Sequence, residues 1–148
     1  MLDDYLGELA AYRERPGGAT FARGYPYLDA YFSETGRYPF VIRQRGSIVG
    51  FAYIRGPAST GRAWQVAEFY IVPRSRGEGL GGAALASIWR RFPGDWELQV
   101  HVQNVIAIRF WLSCVNKWAN RSPEVAEVEA LDGRRLQLRF HVDITVRS

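Results

Sequence analysis

Apolar and polar residues follow two periods along this chain, and the switches between them mark the elements. Residues 96–102, Trp-Glu-Leu-Gln-Val-His-Val, alternate strictly: Trp96, Leu98, Val100 and Val102 share one face, and Glu97, Gln99 and His101 the other, which predicts a half-buried strand. Next, Ala107, Phe110, Trp111, Cys114, Val115 and Trp118 fall at offsets of 0, 3, 4, 7, 8 and 11, a wide helical stripe over about 105–119. A second helix runs from Leu80, with Leu85, Ile88, Trp89 and Phe92 on one face and Phe92-Pro93-Gly94 as its stop. Residues 66–72 form an apolar strand-like run that Pro73 ends. Residues 39–43 and 48–55 are apolar, β-branched and aromatic, and the Arg45-Gly46 turn joins them as a hairpin. Residues 56–61 read as a loop. Nearer the start, 2–13 and 26–32 carry helical spacing, separated by Pro16-Gly17-Gly18, and Gly36 closes the second.

The last hairpin pairs 125–130 with 135–142, where Leu136, Leu138, Phe140 and Val142 share a face. A two-residue Asp132-Gly133 loop opposes Leu136 to Glu129 and Leu138 to Glu127, mixing charge into the apolar face. A three-residue loop of Leu131, Asp132 and Gly133 instead sets Val128 against Leu136, Ala126 against Leu138, and Glu129 beside Arg135, and it is the expected register. The element order then predicts one α/β domain spanning residues 1–148: a mixed, mostly antiparallel twisted sheet flanked by helices, parallel only where strands join through a helix.

Composition changes this picture little. At 148 residues, 47% hydrophobic and 23% charged, the chain suits one globular domain with a real core. The formal net charge of +4 suits an anionic ligand, but it is not gathered into the basic patch that nucleic acid requires. A single cysteine, Cys114, excludes an internal disulfide and fits a reducing compartment. Without a leader or an apolar run of spanning length, the expectation is a cytoplasmic protein with no membrane partner. His101 and His141 fall on polar strand faces without ligand-like neighbours; both are read as surface histidines, and no metal site is expected.

The candidate chemistry sits where the strand at 66–72 gives way to the helix at Leu80. Four glycines, Gly77, Gly79, Gly81 and Gly82, crowd this turn beside Arg74 and Arg76. The first amides of a helix lack intrahelical partners and the helix dipole is positive there, so a glycine-rich entry is a place for a phosphate. A P-loop needs Lys-Ser/Thr after its last glycine, but Ala83-Ala84 follows Gly82. The segment 77–82 fits the dinucleotide pattern G-x-G-x-x-G, yet the next strand ends in Val100-His101-Val102-Gln103, with no acid for a ribose.

Read from its proline, Pro73-x-x-Arg76-Gly-x-Gly79-x-Gly81 resembles the GNAT acetyltransferase superfamily, and Asn104-x-x-Ala107-x-x-Phe110-Trp111 resembles that family's second motif. The resemblance implies an acetyl-CoA-dependent N-acetyltransferase that transfers the acetyl group directly, in a ternary complex, to a primary amine of a small molecule or protein. It places the diphosphate on the backbone of Arg76, Gly77, Gly79, Leu80, Gly81 and Gly82. It sets Ile71 and Val72 along the pantetheine arm, with a free amide for the thioester oxygen, and gives Asn104 a bond to the same arm. Asn104 is equally an ordinary helix N-cap. The family opens with a strand that this chain lacks, so either that first edge strand is missing or another copy covers the edge as a homodimer.

The resemblance also nominates Glu68, five residues before Pro73, as the base that takes the amine proton; the other reading is a solvated strand glutamate. Trp111 stands where a tyrosine often protonates the departing thiolate, and an indole N–H is a very weak acid. Cys114, one turn on, is a candidate substitute and otherwise core. Tyr25, Tyr27, Tyr31, Phe32 and Tyr38 fall where the family builds its acceptor pocket; aromatic faces there suit an organic amine. The alternative function is a non-catalytic acyl-CoA-binding or sensing module.

Overall fold

The computed structural model describes residues 35–143. The helices expected over 2–13 and 26–32 lie outside the described residues, as do Tyr25, Tyr27, Tyr31 and Phe32. Six strands and three helices follow in the order β1 (Arg37–Gln44), β2 (Ser47–Arg55), α1 (Pro57–Thr60), β3 (Trp64–Ile71), α2 (Leu80–Arg91), β4 (Gly94–His101), α3 (Val105–Trp118), β5 (Glu124–Ala130) and β6 (Gly133–Val142). They form one mixed sheet of order β1-β2-β3-β4-β6-β5. Only β3 and β4, joined through α2, run parallel, as the connection rule requires. No strand precedes β1 among the described residues, and none of their helices is long and apolar enough to cross a membrane.

Local chemistry accounts for the elements. Arg45 and Gly46 both adopt positive φ, 52° and 83°, which gives the two-residue loop the twist that a hairpin needs between Gln44 and Ser47. The stretch 56–61 is not wholly irregular: Pro57 opens a single helical turn, α1, and Gly61 closes it at φ 77°. α2 and α3 lay their stripes on one sheet face, where Leu85, Trp89, Trp111 and Val115 bury against Ala52, Ile54, Trp96, Leu98 and Leu138. Trp89 meets Trp96 and Phe140 edge-on at 6.4 and 5.3 Å, an arrangement that ring quadrupoles favour. A second cluster joins Phe51, Tyr53 and Tyr70 with Ile42, Ile71 and Val72.

The last hairpin departs from the expected register. Val128 lies opposite Arg135, Glu127 opposite Leu136 and Val125 opposite Leu138, with Leu131 and Asp132 alone in the turn between the paired Ala130 and Gly133. The expected Glu129–Arg135 pair is replaced by Glu129 with Arg134 at 3.2 Å, while Arg135 turns back to Asp132 at 2.7 Å. β5 is an edge strand exposed over most of its length, so no buried face penalises Glu127 opposite Leu136. Turn and ion pairs set the register instead.

Candidate active site

β3 positions the candidate base through an irregularity. Tyr53 pairs with Glu68 but Ile54 pairs with Val66, so Ala67 is an extra residue that reverses the alternation. Val66 therefore joins Ile54 in the core beneath the helices, while Glu68 stands with Tyr53 on the opposite face. Without the bulge, Glu68 and Val66 fall on one face, and the carboxylate sits in an apolar core at high cost.

Beyond the bulge β3 parts from β4. The parallel ladder holds two pairs, Trp64 with Trp96 and Gln65 with Glu97, although β3 continues to Ile71 and β4 to His101. The result is a V whose apex lies at Gln65 and Glu97. The amides of β3 are divided between its two sides. Val72 donates its N–H to the Val49 carbonyl at 2.8 Å, so the alternation of an antiparallel ladder turns the Ile71 N–H the other way, into the V. Of the two residues expected along the pantetheine arm, Ile71 has the amide facing the gap; the Val72 amide is already engaged.

The glycine turn closes the open end of the V. Pro73–Ser75 make one 3-10 turn, Gly77 and Gly79 hold φ of 82° and 79°, and α2 starts at Leu80. The first bond of the helix is Ala83 N–H to the Gly79 carbonyl at 3.1 Å. The N–H groups of residues 77–82 have no hydrogen-bond partner among the described residues. They sit at the positive end of the α2 dipole, and space is open beside Gly77 and Gly79. The glycines thus divide by role: Gly77 and Gly79 supply conformation, whereas Gly81, whose added Cβ meets Phe110 at 3.0 Å, and Gly82, near the Cys114 Sγ, let α2 approach α3. Arg76 ties the turn to β3, its Nε donating to the Ile71 carbonyl at 2.7 Å and its guanidinium lying 5.2 Å from the Tyr70 ring centroid.

α3 borders the other side. Asn104 is its N-cap, accepting the Ala107 N–H at 3.2 Å through Oδ1, which leaves the side-chain NH2 available to a ligand. Trp111 is buried, packed edge-on to Phe69 and Phe110 at 5.3 and 5.2 Å. Cys114 is core: burial pushes its thiol up to about 11, against the smaller opposite pull of Lys117. A thiol that weak gives up a proton poorly to a thiolate of parent pKa about 8.5, so Cys114 does not replace the missing tyrosine. Iodoacetamide at pH 7.5 is accordingly expected to leave Cys114 unmodified in the native protein and to alkylate it on unfolding; fast native labelling contradicts the burial.

Two residues of β4 correct the expected solvent-facing strand face. His101 is buried, not a surface histidine, and its Nδ1 accepts the Gln103 N–H at 3.3 Å. Glu97 is buried at the apex of the V, held by Arg62 at 2.7 Å and Arg139 at 3.7 Å. His141 is half exposed beside Asp95 at 2.7 Å, as a surface histidine should be. A cavity of about 710 Å³, lined by Arg62, Trp96, Glu97, Arg139, Phe140 and His141 among others, lies at the start of β4, the opposite end from the glycine turn. Sequence reasoning missed Tyr53 opposite Glu68 and the bulge at Ala67; neither residue type announces a break in strand alternation.

The chain matches the model of the acetyltransferase (GNAT) family over residues 8–114. No curated protein matches it in sequence. Among solved structures it is similar to a GNAT family acetyltransferase from Elizabethkingia anophelis with acetyl-CoA bound, at 9% identity and TM-score 0.60, covering 82% of this chain and 85% of that one. An aminoglycoside acetyltransferase in complex with coenzyme A is similar at 16% identity and TM-score 0.59, covering 95% and 91%. A variant of the spermidine N-acetyltransferase from Vibrio cholerae is similar at 12% identity and TM-score 0.61, covering 95% and 92%. At these identities the structural likeness establishes the fold.

Proposed function

Since this chain belongs to the GNAT acetyltransferase family, we propose that it transfers the acetyl group of acetyl-CoA to a primary amine of a small molecule or protein, directly, in a ternary complex. The observation that carries this reading is the row of unpartnered N–H groups over 77–82 at the open end of the V. An anionic diphosphate satisfies such donors at the N-terminus of α2 without displacing any existing bond. Gly77, Gly79, Leu80, Gly81 and Gly82 hold it through their backbone, and Arg76 braces the turn from behind. Structural neighbours bind acetyl-CoA or coenzyme A, and others act on spermidine or on aminoglycosides, both amines.

The chemistry follows from where the groups stand. With the pantetheine arm along β3, the Ile71 N–H donates to the thioester oxygen, and the Asn104 NH2 bonds the arm from the other side. The amine attacks the carbonyl carbon; Glu68 takes its proton, directly or through one water. The C–S bond breaks and the coenzyme A thiolate leaves with the electron pair. Its parent pKa of about 8.5 lets water protonate it, so buried Trp111 need not act as an acid. That same tryptophan favours a second reading, an acyl-CoA-binding module without turnover.

Two measurements separate these readings. Acetyl-CoA at about 100 times its Kd is expected to stabilise the native state by about 2.7 kcal/mol and so raise Tm by roughly 5–10 °C, while NAD leaves it unchanged. Both readings require that shift, and its absence overturns both. Release of free thiol from acetyl-CoA across a panel of polyamines, aminoglycosides and lysine peptides then distinguishes an enzyme from a sensor.

A further inference from the structure

Resting on the reading of a thioester held between Ile71 and Asn104, we propose that Glu97 is a positioning residue: its buried carboxylate clamps the apex of the V and so sets the width of the gap in which the acetyl group is transferred. The sheet consists of two half-sheets joined at one short seam. β3 pairs with β2, and β4 with β6, along most of their lengths, but β3 and β4 share only the pairs Trp64–Trp96 and Gln65–Glu97. A seam of two pairs is a hinge unless something braces it.

Each face of the seam is braced by a different chemistry. On the face covered by α2 and α3, Trp64 stacks on Trp96 at 5.7 Å and on Phe92 at 4.4 Å. Stacked rings resist opening but do not fix an angle. Strand alternation places Glu97 on the other face from Trp96, and there Arg62 Nη2 donates to Glu97 Oε1 at 2.7 Å, a charge-assisted bond with a preferred direction. Arg139, opposite Glu97 on β6, lies 3.7 Å from the second carboxylate oxygen and ties it to the β4–β6 half. The Glu97 side chain is only 4% exposed, so water competes little for these oxygens. Asp95, the neighbouring acid of β4, is engaged with His141 at 2.7 Å and leaves Arg62 to Glu97.

Arg62 moves with the other half-sheet. Its N–H donates to Thr60 Oγ1 at 3.2 Å, while the Thr60 hydroxyl donates to the Ala63 carbonyl at 2.6 Å, which fixes the loop leading into β3. Arg55 of β2 donates to Ser59 of α1 at 3.1 Å and to Gln65 of β3 at 3.2 Å. The single turn of α1 is thus part of the mount for Arg62. The bond from Arg62 to Glu97 therefore spans the hinge instead of joining residues that already move together.

The length of the arms makes the hinge matter. Ile71 stands six residues beyond Gln65 on β3, a lever of about 20 Å, so a rotation of about 3° at the apex moves its N–H by about 1 Å. Asn104 lies on the other arm and does not follow. A misplacement of about 1 Å costs about 10²-fold in rate.

The width is read directly, in the full chain and without cofactor or amine. Ile48→Cys and Gln103→Cys, both at exposed positions, carry spin labels on the two arms at the open end, while buried Cys114 stays unlabelled. In this labelled protein Glu97→Gln, which keeps the side chain's shape and removes its charge, should broaden the label-to-label distances and shift their mean by about 1–2 Å. Arg62→Gln should do the same, and the double variant should widen the gap no further than either single one. An unchanged distribution in the single variants, or additive widening in the double, overturns the clamp. Arg62 is 62% exposed, so Arg62→Gln keeps the fold and decides the matter where Glu97→Gln does not fold. With the most active amine of the panel, kcat/KM in Glu97→Gln should fall about 10- to 100-fold. The Kd for ADP, whose diphosphate needs the glycine turn but not the gap, should stay fixed; a parallel loss of ADP binding marks damage beyond the gap and overturns the clamp. A wild type that releases no thiol with any amine fails the transferase reading alone, because the distance measurement still decides the clamp.

Discussion

Glu68→Gln is expected to lower kcat/KM for amine acetylation by about 10²- to 10⁴-fold, the range that a positioned general base contributes. The amide keeps the size of the carboxyl and its place opposite Tyr53, so fold and cofactor binding should survive and the acetyl-CoA-induced rise in Tm should match that of the wild type. The pH profile adds a sign. In the wild type, protonation of Glu68 at low pH removes the base and rate falls on the acid side; in Glu68→Gln that limb disappears, because no group remains there to titrate. The mechanism makes this the most sensitive single position on the chain, since Trp111 and Cys114 have no proton-transfer step to lose. Thiol release by Glu68→Gln at the wild-type rate would mean that bulk water takes the proton and that Glu68 is an ordinary strand residue.

Legibility in the sequence followed burial. The stripes of α2 and α3 and the alternation of β4 and β6 are each enforced by a packed face, so their periods show directly in residue type. The glycine turn was legible for another reason: positive φ at Gly77 and Gly79 admits few other residues. Where no packed face constrains the chain, the reading failed. β5 turns most of its length to solvent, and its register with β6 followed the turn at Leu131 and Asp132 and the pairing of Glu129 with Arg134. Glu97 and His101 were read as solvent-facing because their residue types are polar, yet both are buried. Their burial depends on Arg62, Arg139 and Gln103, neighbours that a single strand's pattern does not contain. The bulge at Ala67 is the costliest omission for the site, because it sets which face carries Glu68 and which partner it meets. A bulge is a property of two strands together, and nothing in Val66-Ala67-Glu68 alone marks it.

A glycine outside the turn is expected to matter more for stability than those within it. Gly50 pairs with Ile71 at the end of β3, and a Cβ there overlaps the Tyr70 backbone carbonyl and meets the Ile71 Cδ1 at 2.9 Å. A backbone carbonyl cannot rotate aside like a side chain, so Gly50→Ala must push β2 away from β3 and should cost about 3 kcal/mol in urea denaturation. The displaced stretch contains the Val72 N–H bond to the Val49 carbonyl and the Ile71 amide turned into the V. Loss of stability should therefore come with weaker acetyl-CoA binding, read by calorimetric titration under conditions where the variant remains folded. Gly77→Ala is the matched comparison. An added Cβ has open space there, and only the left-handed backbone at φ 82° resists it, so the cost should be roughly 1–2 kcal/mol. Equal losses in the two variants would show that β2 and β3 yield at Ile71, and would take from that strand end the rigidity needed to hold an amide on a thioester oxygen.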